Sequence, residues 1–210
     1  MKVVIIDYGA GNVESVANAL SAVVSSSDEL LISNKPSDLK SANHLLLPGV
    51  STFGDCMMGL KAIEGLLPEI QKQVLIEKKP FLGICVGMQV LATLGWENGQ
   101  HQGLNFINGQ VREITAAKGL KIPQMGWNEI TLKTLKHAVL NGIANGEHFY
   151  FANSYHFICQ NENNVLAQVE YGSKLNAIIA KENILGFQFH PEKSGEAGLR
   201  LLKNFLNWRP

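Results

Sequence analysis

The hydrophobic pattern divides the chain into two regimes. Up to about residue 95, short apolar runs alternate with helical periodicity. Lys2–Asp7 reads as a buried strand, rich in valine and isoleucine and stopped by Gly9 and Gly11. Asn12 is placed to cap a helix whose apolar positions Val13, Val16, Ala17 and Leu20 share one face. Leu30–Ile32 predicts a second strand and His44–Leu47 a third, ended by Pro48-Gly49. Helices are expected over Thr52–Leu60 and Leu67–Lys78, the latter with Pro68 in its first turn. Phe81–Ile84 is a fourth strand, and Val86–Leu94 is helical again. This order predicts an α/β protein with a mostly parallel central sheet and helices on both faces.

After residue 105 the pattern shifts to short strands at Phe106–Ile107, Gln110–Ile114, Glu129–Leu132, Phe149–Asn153, Val165–Tyr171, Asn176–Ala180 and Ile184–Phe189. Turn signals such as Asn108-Gly109 and Lys181-Glu182-Asn183 separate several of them, so antiparallel strands are expected in this half. An amphipathic helix from about Gly195 closes the chain, with Leu199, Leu202, Phe205 and Leu206 on one face. No linker, repeat or low-complexity stretch interrupts the 210 residues, which are expected to form one domain over 1–210.

Composition adds exclusions. Eighteen basic and 18 acidic side chains cancel, which disfavours a nucleic-acid partner. No apolar run reaches the roughly 20 residues of a membrane helix, and the four apolar residues before Asp7 are too few for a signal peptide. A cytoplasmic location without a membrane partner is therefore expected. Cys56, Cys85 and Cys159 lack Cys-x-x-Cys spacing and the six histidines are scattered, so neither a metal nor another cofactor is predicted. Gly9-Ala10-Gly11-Asn12-Val13-Glu14 imitates the start of a dinucleotide fingerprint, but Glu14 stands where a third small residue must pack helix on strand. Those glycines fit a functional turn at a strand's carboxyl end instead.

The informative chemistry lies at Gly83-Ile84-Cys85-Val86-Gly87-Met88-Gln89. A cysteine between a strand and a helix, with glycines two before and two after, has the form of a nucleophile elbow. The glycines leave room where strand and helix cross, the positive helix end favours a thiolate, and the Val86 N–H is free for an oxyanion. A lone cysteine is more often a buried structural residue; the elbow context argues for a nucleophile at Cys85. Downstream, His190-Pro191-Glu192 offers an imidazole and a carboxylate. With Pro191 holding the chain extended, His190 and Glu192 project to one side, so Glu192 can set the His190 tautomer. Cys56 and Cys159 have no such setting and read as structural.

These residues resemble the triad-type (class I) glutamine amidotransferases, whose glutaminase domains join an elbow cysteine to a later His-x-Glu. The likeness spans nearly the whole chain, through Tyr8-Gly9-Ala10-Gly11-Asn12, Leu47-Pro48-Gly49-Val50, the elbow, Met125-Gly126-Trp127-Asn128 and His190-Pro191-Glu192-Lys193-Ser194. It is strongest to members that act as glutaminase subunits of imidazole glycerol phosphate synthases. The resemblance implies a flavodoxin-like class I glutaminase fold and hydrolysis of L-glutamine through a thioester on Cys85, with His190 and Glu192 completing the triad. It implies an oxyanion hole from Gly49, Val50 and Val86, and a glutamine subsite from Gln89, Glu97, Ser154 and Tyr155. It further implies a heterodimer with a (β/α)8 cyclase subunit, touched by Trp127, Asn128 and Lys193. That partner would use the ammonia to turn PRFAR into imidazole glycerol phosphate and AICAR in histidine biosynthesis. Two positions depart from the family pattern, Ser51 for a usual glycine and Asn153 for a common histidine. They leave room for a paralogous glutaminase feeding another synthase, such as a surface-polysaccharide sugar amidotransferase. A catalytically silent docking subunit is a further alternative, opposed by the intact triad.

Overall fold

The computed structural model describes residues 1–115 and 119–210. The apolar runs become strands β1 (Lys2–Ile6), β2 (Glu29–Ser33), β3 (His44–Gly49) and β4 (Phe81–Cys85). Between them lie α1 (Val13–Ser21), α2 (Pro36–Ser41), α3 (Phe53–Ala62) and α4 (Leu66–Gln71), which runs on into a π-helical turn at Lys72–Ile76. Helix α5 is a single turn at Val86–Gln89. There follow β5 (Leu94–Gly95), β6 (His101–Gln102), β7 (Gly109–Glu113), β8 (Gln124–Leu132), β9 (His148–Asn153), β10 (Tyr155–Cys159), β11 (Val165–Glu170), β12 (Lys174–Lys181), β13 (Ile184–Phe187) and α6 (Gly195–Asn207).

Nine strands form one sheet in the order β2-β1-β3-β4-β13-β12-β11-β8-β9. The first five are mutually parallel, and every pairing from β13–β12 to β8–β9 is antiparallel. All residues of β3, β4 and β13 are buried, as strands covered on both faces must be. α1 packs on α6, while α4 packs on α2 and α3. A four-stranded sheet, β10-β7-β5-β6, stands beside the large one and carries the segments around Glu97 and Tyr155. Among the described residues no helix is long and apolar enough to cross a membrane.

Several local expectations are corrected. The predicted helix Val86–Leu94 stops at Gln89 because the carbonyls of Val90, Leu91 and Ala92 accept N–H groups from Leu104, Phe106, Ile107 and Asn105. The same bonds explain why Phe106–Ile107, though buried, is not a strand: both N–H groups are spent on Leu91. The third strand runs through Pro48-Gly49 instead of ending there, since its pairing with β4 continues to Gly49 opposite Cys85. Asn12 precedes α1 but its side chain caps nothing in that helix. Helix α2 and strands β5, β6 and β10 have no counterpart among the predicted elements; β5 and β6 are two residues each, too short for a period.

Candidate active site

Cys85 closes β4 and opens α5 with φ +55° and ψ −112°, a conformation costly for a residue with a side chain and sustained by the packing around it. The glycines of the elbow are dictated by space. A Cβ on Gly87 would overlap the Leu47 carbonyl, and one on Gly83 would overlap the Gly87 carbonyl and lie 2.7 Å from the Met88 nitrogen. With no side chains at these points, strand and helix cross closely enough to hold the thiol at the rim of a cavity of about 360 Å³. Its walls include Val50, Ser51, Val86, Gln89, Glu97 and Asn153, together with Ala152, Ser154, Tyr155, His190 and Lys193.

His190 follows β13 and is held from two sides. Its N–H donates to the Tyr150 carbonyl at 2.9 Å, and its carbonyl accepts the Ser194 hydroxyl at 2.6 Å. The ring Nδ1 donates to Glu192 Oε1 at 2.8 Å, which directs Nε2 toward Cys85. The expected extended His-Pro-Glu segment is not what achieves this. Pro191–Lys193 forms a 3₁₀ turn, and the turn folds Glu192 back against the ring. Burial lowers the affinity of His190 for a proton, but hydrogen bonds and charge from Cys85 and Glu192 overcome it, and the imidazole is held up at about 10. Asn12 Nδ2 donates to the same Glu192 oxygen at 3.2 Å, a role for which its place before a helix gave no sign. Glu192 Oε2 is buried and has no hydrogen-bond partner among the described residues.

The four residues expected around glutamine all line the cavity, and three also brace it. Gln89 donates through Nε2 to the Tyr155 carbonyl at 2.9 Å and to Gln188 Oε1 at 3.2 Å, leaving its own carbonyl oxygen for a ligand. Glu97 Oε2 accepts the Phe53 N–H at 2.7 Å, tying the cavity wall to the first turn of α3. The Ser154 carbonyl accepts the Ile114 N–H at 2.8 Å. Tyr155 is kept a neutral phenol first by burial and then by the charges of Glu113 and Glu97. Of the expected oxyanion residues, Val50 and Val86 line the cavity beside Cys85 but Gly49 does not. Gly49 is a packing residue: a Cβ there would stand 2.8 Å from the Tyr8 hydroxyl and 3.0 Å from the Gly87 nitrogen. Gln188 was missed, although a glutamine between Phe187 and Phe189 in an apolar strand was a legible signal; its Nε2 approaches Cys85 Sγ at 4.0 Å.

A nucleophile on an elbow, an imidazolium held by a carboxylate and a polar cavity above them suit acyl transfer from an amide. Residues 4–208 match the model of the family "Glutamine amidotransferase class-I". The chain belongs to this family. Solved structures share its fold. One described as a glutamine amidotransferase superposes with a TM-score of 0.74 at 21% identity, covering 97% of each chain. The PurLQS structure from Thermotoga maritima gives 0.73 at 20% identity, over 98% of this chain and 97% of that one. Curated relatives are much nearer in sequence. The "Imidazole glycerol phosphate synthase subunit HisH" of Rhodospirillum rubrum is 46% identical over the full length of both chains. That of Zymomonas mobilis is 46% identical over 99% of this chain and 96% of its own, and that of Bradyrhizobium diazoefficiens 45% identical over all of both. Each is named as one subunit of a synthase.

In this glutamine amidotransferase the expected partner-facing residues divide. Trp127 is 54% exposed and meets the Tyr150 ring edge-on at 6.2 Å, while Lys193 Nζ lies 5.7 Å over the same ring. Met125, on the same face of β8 as Trp127, is 66% exposed. Asn128 alternates to the other face and is half-buried. Cys56 and Cys159 are buried thiols, each pushed up to about 12 chiefly by burial, and neither lines the cavity.

Proposed function

We propose that this chain is the glutaminase subunit of an imidazole glycerol phosphate synthase. In this reading it works as a cytoplasmic heterodimer, a single glutaminase domain over residues 1–210 bound to a (β/α)8 cyclase subunit. The observation that carries the chemistry is the His190–Glu192 pair beside the Cys85 elbow, in one cavity. The sulfur of Cys85 attacks the γ-carboxamide carbon of L-glutamine, and the carbonyl oxygen becomes an oxyanion between the N–H groups of Val50 and Val86. The His190 imidazolium gives its proton to the amide nitrogen, the C–N bond breaks, and ammonia leaves a γ-glutamyl thioester on Cys85. Water, deprotonated by His190, then attacks the thioester carbon, and glutamate departs as the thiol is restored. Glu192 holds the ring throughout, and Asn12 holds Glu192. Gln89, Glu97, Ser154 and Tyr155 receive the amino-acid end of the substrate.

Val50 and Lys193 are exposed where they line the cavity, and Trp127, whose ring meets the Tyr150 ring that Lys193 overlies, joins Met125 in an exposed apolar stretch of β8 that suits a protein partner. There the ammonia would enter the cyclase and react with PRFAR, giving imidazole glycerol phosphate and AICAR. The test is glutamate release by the chain mixed with a purified cyclase subunit and PRFAR. Strong stimulation is expected, together with synthesis from ammonium salts that survives Cys85→Ala while glutamine-dependent synthesis is lost. Absence of stimulation would remove the histidine-pathway reading, and glutaminase activity in Cys85→Ala would remove the nucleophile.

A further inference from the structure

Tyr8 lies at the end of β1, under the segment Gly49–Ser51, and the mechanism above makes no use of it. Its side chain occupies a slot cut by two glycines. A Cβ on Gly59 would stand 2.8 Å from the Tyr8 ring, and a Cβ on Gly49 would stand 2.8 Å from its hydroxyl. The residue is 5% exposed, and its hydroxyl has no hydrogen-bond partner among the described residues. Ser51 and Cys56 supply the polar side chains beside it. A buried hydroxyl left unpaired is unfavourable, and phenylalanine would fill the same slot without that penalty. The oxygen is therefore the feature to explain.

Of the two polar side chains beside the phenol, the Cys56 sulfur is only a weak acceptor, and the Ser51 hydroxyl is the stronger partner. Ser51 follows Val50, whose N–H the proposed reaction uses, and it forms part of the cavity wall. Its hydroxyl donates only a long bond of 3.3 Å to the carbonyl of its neighbour Thr52, so its lone pairs remain open to a donor. The phenol is such a donor, and burial, the first among several influences, keeps it protonated. Val50 is 56% exposed, so the segment between β3 and α3 is not locked by packing at that side chain. The glycine expected at position 51 could not make this contact.

We propose that Tyr8 is a positioning residue for glutamine hydrolysis, its buried hydroxyl bonding to Ser51 and so anchoring the residue that follows Val50 while the N–H of the Gly49–Val50 peptide receives the oxyanion. The inference rests on the glutaminase reading above. The bond is made in the reacting state, so its loss acts on kcat and leaves ground-state binding of glutamine alone. Serine at 51 then reads as half of a pair whose other half is Tyr8.

The experiment compares wild type, Tyr8→Phe, Ser51→Ala and the double variant in glutamate release, with and without the cyclase subunit and PRFAR, alongside thermal melting. Tyr8→Phe is expected to lower kcat roughly tenfold, the worth of about one hydrogen bond in the transition state. KM should stay the same and the melting temperature should be equal or higher. Ser51→Ala should show the same loss, and the double variant no further loss. Wild-type kcat in Tyr8→Phe would overturn the proposal, as would a fall in kcat accompanied by a raised KM and a melting temperature several degrees lower. Multiplying losses in the double variant would overturn the pairing with Ser51. The comparison is a ratio to wild type under whichever condition turns glutamine over. Failure of the cyclase to stimulate wild type would thus count against the partner reading and still leave Tyr8 judged.

Discussion

His44 allows an acid-lability prediction to be worked through quantitatively. It opens β3, is 1% exposed, and packs edge-on against Phe205 with ring centroids 5.2 Å apart. Its Nε2 lies 3.1 Å from Arg209 Nη1. The Trp208 carbonyl lies 3.3 Å from the same nitrogen, but the guanidinium is nearer and can only donate, so Nε2 keeps its lone pair for Arg209 and the ring is neutral. Burial, and after it the Arg209 charge, pull the imidazole from 6.5 down to about 4; the carbonyls of Trp208 and Phe205 and the charge of Asp28 push the other way and lose. Between those two values the unfolded chain binds a proton that the folded one refuses. Stability from this group is therefore complete above about pH 6.5 and drains away as pH falls toward 4. About two and a half pH units at about 1.4 kcal/mol each, less the half-protonation of the folded group at pH 4 itself, give a loss of about 3 kcal/mol. At about 2–4 °C per kcal/mol for a chain of this size, that is a fall of about 6–12 °C in melting temperature. The assay is thermal melting from pH 4 to 7.5 for wild type and His44→Gln, which keeps an acceptor for Arg209 without titrating. The variant should lose most of the slope. A remainder is expected from His137 and His156, both also lowered by burial. Because His44 sits at the opposite end of β3 from Gly49, glutaminase activity per folded molecule at pH 7 should not change. Equal slopes in the two proteins would refute the argument.

Three further outcomes are expected. Gly87→Ala sets a methyl group into the Leu47 carbonyl and should cost more than about 4 kcal/mol, read as insoluble expression or a collapsed melting temperature; a well-folded variant would contradict the elbow packing. Gln124 is fully buried with both amide atoms unpaired among the described residues, so Gln124→Met should raise stability by about 1–3 kcal/mol, and a melting temperature several degrees lower would show that the amide is satisfied. His190 should remain protonated at pH 8 by NMR of its ring nitrogens and titrate lower in Glu192→Gln. With its value raised above 6.5, the stability it contributes is whole below that pH and disappears as pH rises through about 10. An unchanged titration in the variant would remove Glu192 as the partner.

The parallel half of the fold was legible because a strand buried on both faces must be continuously apolar, as in Val3-Val4-Ile5-Ile6 and Leu45-Leu46-Leu47. The elbow was legible because steric crowding at a strand–helix crossing leaves glycine little competition at 83 and 87. What sequence could not show was decided by contacts far along the chain. Asn12 has the form of a cap, yet a carboxylate 180 residues away claims its amide. The helix after Cys85 looked longer because Val90, Leu91 and Ala92 are good core residues in any conformation; hydrogen bonds from residues 104–107 end it. His190 and Glu192 were paired on the assumption of an extended chain, and a tight turn pairs them instead. Gly49 was placed with the oxyanion strand, and the packing around it shows a further demand, for the absence of a side chain.

A physical bias also marks this cavity as functional independently of any motif. Stable interiors pair nearly all their buried polar atoms, and backbone strain is rare outside sites that use it. Here Glu192 Oε2, Asn153 Oδ1, the Tyr8 hydroxyl and both amide atoms of Gln124, which pairs in register with Asn153, are unpaired among the described residues. All belong to the cavity wall or to the residues immediately behind it, next to the left-handed Cys85. The other unpaired atoms among the described residues, His44 Nδ1, Asn183 Oδ1, Trp96 Nε1 and His156 Nδ1, belong to residues that do not line the cavity. Each such atom costs about 1–3 kcal/mol if nothing else satisfies it. Their concentration around one thiol is what selection for chemistry at that point, and not for stability, would leave behind.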